Sequence, residues 1–129
     1  MSGLHLGPCL EREDFGDLTV LLIKAPALYD DGATRDLFDQ ASHLVDSEGR
    51  SRLVLNFDGV GFMASAALGK LVQLMRMAAS AGGKLAVCRL NRPLNELLRV
   101  SRLSDLLPSY ADEQDALQAL AEYSRPQEG

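Results

Sequence analysis

At 129 residues, 47% hydrophobic and 24% charged, the chain has the length and usage of one globular domain, which excludes a disordered or fibrous protein. A net charge of −5, with no basic patch interleaved with aromatics, argues against nucleic acid binding. No apolar run approaches the roughly 18 residues of a membrane span and residues 1–9 hold no signal-like segment, so membrane insertion is not expected and the cytoplasm is the expected location.

Residues 1–9 read as an N-terminal arm, 10–123 as a single domain and 124–129 as a polar tail. Residues 10–15 and 18–24 read as strands around a Gly16-Asp17 turn, an antiparallel hairpin at an exposed edge of the sheet. The second of these is nearly continuous in apolar residues, as in a strand buried on both faces. Pro26 breaks the pattern, and Asp30 or Asp31 is the candidate N-cap of a helix over about 34–47. Its apolar stripe is Leu37, Phe38, Ala41, Leu44 and Val45.

Residues 52–90 organise the rest. A strand over 53–57 leads through the loop 58–61 (DGVG) into a helix over about 65–81, with Leu68, Leu71, Val72, Met75, Ala78 and Ala79 at helical spacing. Gly82-Gly83 ends it, and residues 84–90 return as a strand. Strand, helix, strand at this spacing is a βαβ unit with parallel strands. Asn91 and Pro93 then start a helix carrying Leu94, Leu97 and Leu98 and ending near Ser101. A last short strand lies within 103–110. Asp112, Glu113 and Asp115 open a closing helix that packs Ala116, Leu117, Leu120 and Tyr123. The order is ββαβαβαβα, an α/β fold.

Charge is uneven along this order. Residues 1–49 carry 3 basic and 10 acidic side chains, residues 50–103 carry 9 and 2, and residues 104–129 carry 1 and 6. The basic middle is either a face for an acidic partner or a set of solvating and internally paired charges.

Catalytic signals are absent. His5 and His43 have no ligand at metal spacing, and no GxSxG, P-loop or GxGxxG occurs. Cys9 and Cys88 form no CxxC and are expected as reduced thiols, Cys88 buried in its strand. No metal, no cofactor and no enzymatic activity are expected. The loop Phe62-Met-Ala-Ser-Ala-Ala-Leu68 is more informative. Its small side chains before a helix would let another backbone approach the free N–H groups there. Ser65 is either the helix N-cap or a phosphoacceptor. Phe62 and Met63 are either core or partner contacts.

Residues 55–63, LNFDGVGFM, resemble the pattern LDLSxVxFMDSSGL of the STAS domain, the fold of bacterial anti-sigma factor antagonists. Gly83-Lys-Leu-Ala-Val87, the stretch from Asn91 to Leu106-Leu107, and Asp30 with Leu37 resemble further parts of that family, though the segment around Pro26 is about two residues longer. The resemblance covers about residues 10–123. It implies a mixed sheet with helices mostly on one side, and a loop docking on an anti-sigma factor of serine-kinase-type fold. In the family, phosphorylation of a loop serine switches docking off. Here Ala64-Ser65-Ala66-Ala67 stands in place of Asp-Ser-Ser-Gly, so Ala66 occupies the acceptor position and Ser65 the neighbouring one. The resemblance thus implies a docking set of Asp30, Phe62, Met63, Ala64, Ser65, Ala66, Ala67, Leu68 and Lys70. Docking is then constitutive, unless Ser65 has inherited the switch. A subunit of a lipid-transport complex or stressosome-like scaffold is an alternative, as is a small nucleotide- or ligand-binding sensor. An unpaired edge strand allows weak homodimerisation.

Overall fold

The computed structural model describes residues 4–7 and 9–123. In chain order these form β1 (Leu4–Gly7), β2 (Leu10–Phe15), β3 (Leu18–Ile23), β4 (Ala27–Leu28), α1 (Gly32–Glu48), β5 (Arg52–Asn56), β6 (Phe62–Met63), α2 (Ser65–Ser80), β7 (Lys84–Cys88), α3 (Arg92–Val100), β8 (Ser109–Tyr110) and α4 (Glu113–Ala121). The main sheet runs β1-β2-β3-β5-β7-β8, and β4 pairs with β6 in a separate two-stranded sheet. β1/β2 and β2/β3 are antiparallel; the other pairs are parallel. The central βαβ unit and the hairpin turn through Gly16, at φ 64°, are as expected.

Strand alternation divides the core between two faces. Leu21 and Ile23 of β3, Leu53 and Leu55 of β5, and Leu85 and Val87 of β7 point under α1, α2 and α3. Leu18, Val20, Val54, Ala86 and Cys88 point the other way, under Ala116 and Leu120 of α4. Helices therefore lie mostly on one side, as the resemblance implied. The expected stripe of α1 is buried in full.

Four features differ from the sequence expectation. Leu4–Gly7, placed in the N-terminal arm, pairs with β2, so the sheet edge lies one strand beyond the hairpin. Four residues are too few for a period-2 signal to register. The two-residue strands β4 and β6 are absent from the expected order for the same reason. α2 buries Ala67, Leu71, Leu74 and Ala78, while Val72 is half-buried and Ala79 exposed. The apolar arc of this helix is wider than the strip it buries, so spacing alone could not select the residues that face the core; small Ala67 and Ala78 are as fully buried as Leu71. Finally, β7 stops at Cys88 because Arg89 adopts φ 62° and turns the chain toward α3. The tail, 124–129, lies outside the described residues.

The hairpin end of the sheet is closed by polar contacts. Arg12, its side chain only 12% exposed, donates to Glu48 at 2.8 Å and to Asp14 at 3.1 Å. Arg50 donates to the Thr19 hydroxyl at 2.6 Å and to the Gly16 and Leu18 carbonyls, and Thr19 donates to Asp14 at 3.0 Å. Nearby, Arg52 donates to the Leu120 carbonyl at 2.9 Å, and Arg52 and Lys84 both lie over the Tyr123 ring.

Candidate partner-docking site

At the opposite end, buried Asn56 finishes β5 by accepting from the Asp58 N–H at 2.8 Å and donating to Glu113 at 2.6 Å. The loop after it closes with Val60 N–H on the Phe57 carbonyl. Gly61 N–H then donates to Pro26 and Ala64 N–H to Leu28, each at 2.8 Å, around the parallel pairing of Ala27 with Phe62 and Leu28 with Met63. This bridge clamps the starts of α1 and α2 side by side.

The two helix starts are chemically unlike. Asp31 caps α1 by accepting from the Thr34 N–H at 2.9 Å, and that hydrogen bond holds its carboxyl below the usual range. Asn91 caps α3 and Asp112 caps α4 in the same way. α2 begins on Ala64, whose extended backbone (φ −71°, ψ 160°) suits an N-cap but whose side chain offers no acceptor. The reading of Ser65 as the cap is therefore corrected. The Ala64 carbonyl already accepts from Leu68 N–H at 3.0 Å, so Ser65 is the first helical residue, and its exposed hydroxyl makes no hydrogen bond.

Of the residues singled out, Phe62, Ser65 and Ala66 are exposed, and Ala64, Leu68 and Lys70 are half-buried. Met63 and Ala67 point into the core and support the loop from beneath. Asp30 has a side chain 73% exposed, 3.8 Å from Arg35. One further residue joins this surface. Tyr29 is 56% exposed and lies with its ring centroid 5.6 Å from that of Phe62, itself 49% exposed. Its sequence signal was an aromatic just before the Asp30-Asp31 pair, outside any helical stripe.

Beside this surface, the carboxyl ends of β5 and β7 leave an open cleft of about 530 Å³ edged by Asp58, Arg89 and Asn91. Among the described residues no group of three His, Cys, Asp or Glu is placed to hold a metal. Burial, then the nearby Glu113 carboxylate, push the Cys88 thiol up to about 12, leaving it an inert core residue.

The sequence matches the STAS domain over residues 16–116. The chain belongs to the STAS domain family. It is 35% identical over 68 residues to the anti-sigma F factor antagonist of Paenibacillus polymyxa, a match spanning 53% of this chain and 58% of that relative. An anti-sigma factor antagonist from Mycobacterium paratuberculosis has the same fold, with TM-score 0.71 at 20% identity, covering 95% of this chain and 100% of that one. So does the Bacillus cell fate determinant SpoIIAA in its phosphorylated form, with TM-score 0.68 at 18% identity, covering 85% and 97%. No helix among the described residues is long and apolar enough to cross a membrane.

Proposed function

We propose that this STAS domain is a non-enzymatic, cytoplasmic regulator of the anti-sigma factor antagonist kind, docking on an anti-sigma factor of serine-kinase-type fold. The observation that carries this reading is the uncapped start of α2 clamped beside α1, which offers Asp30, Phe62, Ser65 and Ala66 on one surface. Docking is constitutive. A phosphate at the acceptor position would meet the positive end of α2 and block an apolar contact, but Ala66 has no hydroxyl to receive one. The test is capture from native lysate by the wild-type domain and by Ala66→Asp. Recovery of a serine-kinase-type anti-sigma factor by the first alone supports the reading. Equal recovery by both excludes the loop as the contact, and recovery of transporter or scaffold subunits assigns the domain to another assembly.

A second reading follows from the free hydroxyl of Ser65: the switch has moved one position earlier. Incubation with the captured kinase and ATP decides it. Phosphate on the wild type that is lost in Ser65→Ala establishes the moved switch, and no phosphate leaves docking constitutive.

A further inference from the structure

We infer that Glu113 of α4 is a positioning residue for the docking surface, acting through the side-chain amide of Asn56. This rests on the docking reading above and adds what holds that surface in place. β5 ends on Asn56 and the docking segment begins at Phe62, so the loop 57–61 is all that joins them. Each part of this loop is tied down. Asn56 Oδ1 accepts from the Asp58 N–H at 2.8 Å, Val60 N–H donates to the Phe57 carbonyl at 2.9 Å, and Gly61 N–H donates to the Pro26 carbonyl at 2.8 Å. Phe57 and Val60 are buried, and Asn91 Nδ2 reaches the Val60 carbonyl at 3.4 Å. The loop therefore passes its geometry on to β6, to the bridge with β4 and to the start of α2.

The first of these ties depends on which way the Asn56 amide points. An amide accepts at one end and donates at the other, and turning it over would set Nδ2 against the Asp58 N–H. Asn56 is buried, so a lost protein partner is not readily replaced by water. Glu113 selects the orientation. Its carboxylate only accepts, and it takes the Nδ2 hydrogen at 2.6 Å, which leaves Oδ1 facing Asp58. Arg89 and Asp112 line the open cleft of about 410 Å³ beside this pair, and Glu11 and Glu13 a small groove toward β2, yet the hydrogen bond of Glu113 is to Asn56. α4 packs on the opposite face of the sheet from α1 and α2, so this one contact ties the docking loop to the far side of the domain.

The variant that reads this contact is Asn56→Asp. Its carboxylate still accepts from the Asp58 N–H but faces the Glu113 carboxylate at the 2.6 Å contact, where like charges repel. Amide hydrogen exchange of the free protein should then speed up about 10-fold or more at Asp58, Gly61 and Ala64, with the amides of β3 and β7 within about twofold. Glu113→Ala, which leaves the amide free to turn, should speed the same three amides about threefold or more. Asn56→Asp/Glu113→Gln restores a donor to the contact and should bring them back to within about twofold of the wild type. By calorimetry, affinity for the anti-sigma factor that the wild type captures should fall about 10-fold in Asn56→Asp and recover in the double variant. Loop amides that exchange as in the wild type, that speed up only in step with β3 and β7, or that the second substitution does not restore, would overturn the inference. So would altered exchange with unchanged affinity. If the wild type binds no such factor, the docking reading fails by itself, and the exchange rates alone decide whether Glu113 sets the loop.

Discussion

At the hairpin end of the sheet, Arg12, Asp14, Thr19, Glu48 and Arg50 satisfy one another, whereas at the helix-start end α2 opens on Ala64 with no side-chain cap and two aromatic rings stand in solvent. Both ends are loops joining the same strands to the same helices. The first is finished for stability. The second leaves backbone N–H groups and apolar area facing solvent, and it is the surface proposed above for docking. Substitutions should therefore cost folding at one end and docking at the other.

The largest folding effect is expected at Gly83, beside the start of β5. A Cβ there would sit 2.0 Å from the Ser51 carbonyl oxygen, so backbone must move. Gly83→Ala should lose about 3 kcal/mol, read as a lower urea midpoint. Next comes Arg12→Met, which strips Glu48 of its donor and leaves Asp14 with Thr19 and Arg50, and should lose about 1.5 kcal/mol.

The same arginine sets an acid limb. Burial pushes the Asp14 carboxyl up, but hydrogen bonds from Arg12 and Thr19 together outweigh it, and it sits below the usual range. Arg12's hydrogen bond holds Glu48 low as well. Groups depressed in the folded state stabilise it above their unfolded values, near pH 4, and that contribution fades as pH falls through the folded values. Thermal melts of the wild type should therefore drop below about pH 4, and Arg12→Met should flatten that limb.

At the other end the sign reverses. Ala64→Ser supplies the missing cap and should raise stability by about 0.5 to 1 kcal/mol. Ser65→Ala should leave it within about 0.5 kcal/mol, since the hydroxyl bonds nothing. A clear loss in Ser65→Ala would mean that the helix start is more tightly built than it looks.

The fold was legible wherever a long pattern met buried surface, on both faces of β3 and on one face of α1, and in the βαβ unit. Legibility failed where the pattern was short or its apolar arc too wide. β1, β4 and β6 are two to four residues long, and the apolar arc of α2 is wider than the strip it buries. The start of α2 was placed by its loop, but its cap was expected one residue late, at Ser65 rather than Ala64. Sequence alone does not reveal that the Ala64 carbonyl accepts the first helical bond. The contact of Tyr29 with Phe62 could not be read from the sequence because the two lie 33 positions apart and are brought together by the β4–β6 bridge.

The central claim is that the helix-start end is the docking surface, and amide hydrogen exchange with and without the bound anti-sigma factor tests it most directly. New protection confined to residues 27–31 and 61–70, with the β2–β3 hairpin and α4 unchanged, is the expected result. Protection appearing at the hairpin or along β1 instead would contradict it, and would mean that the uncapped helix serves something other than this partner.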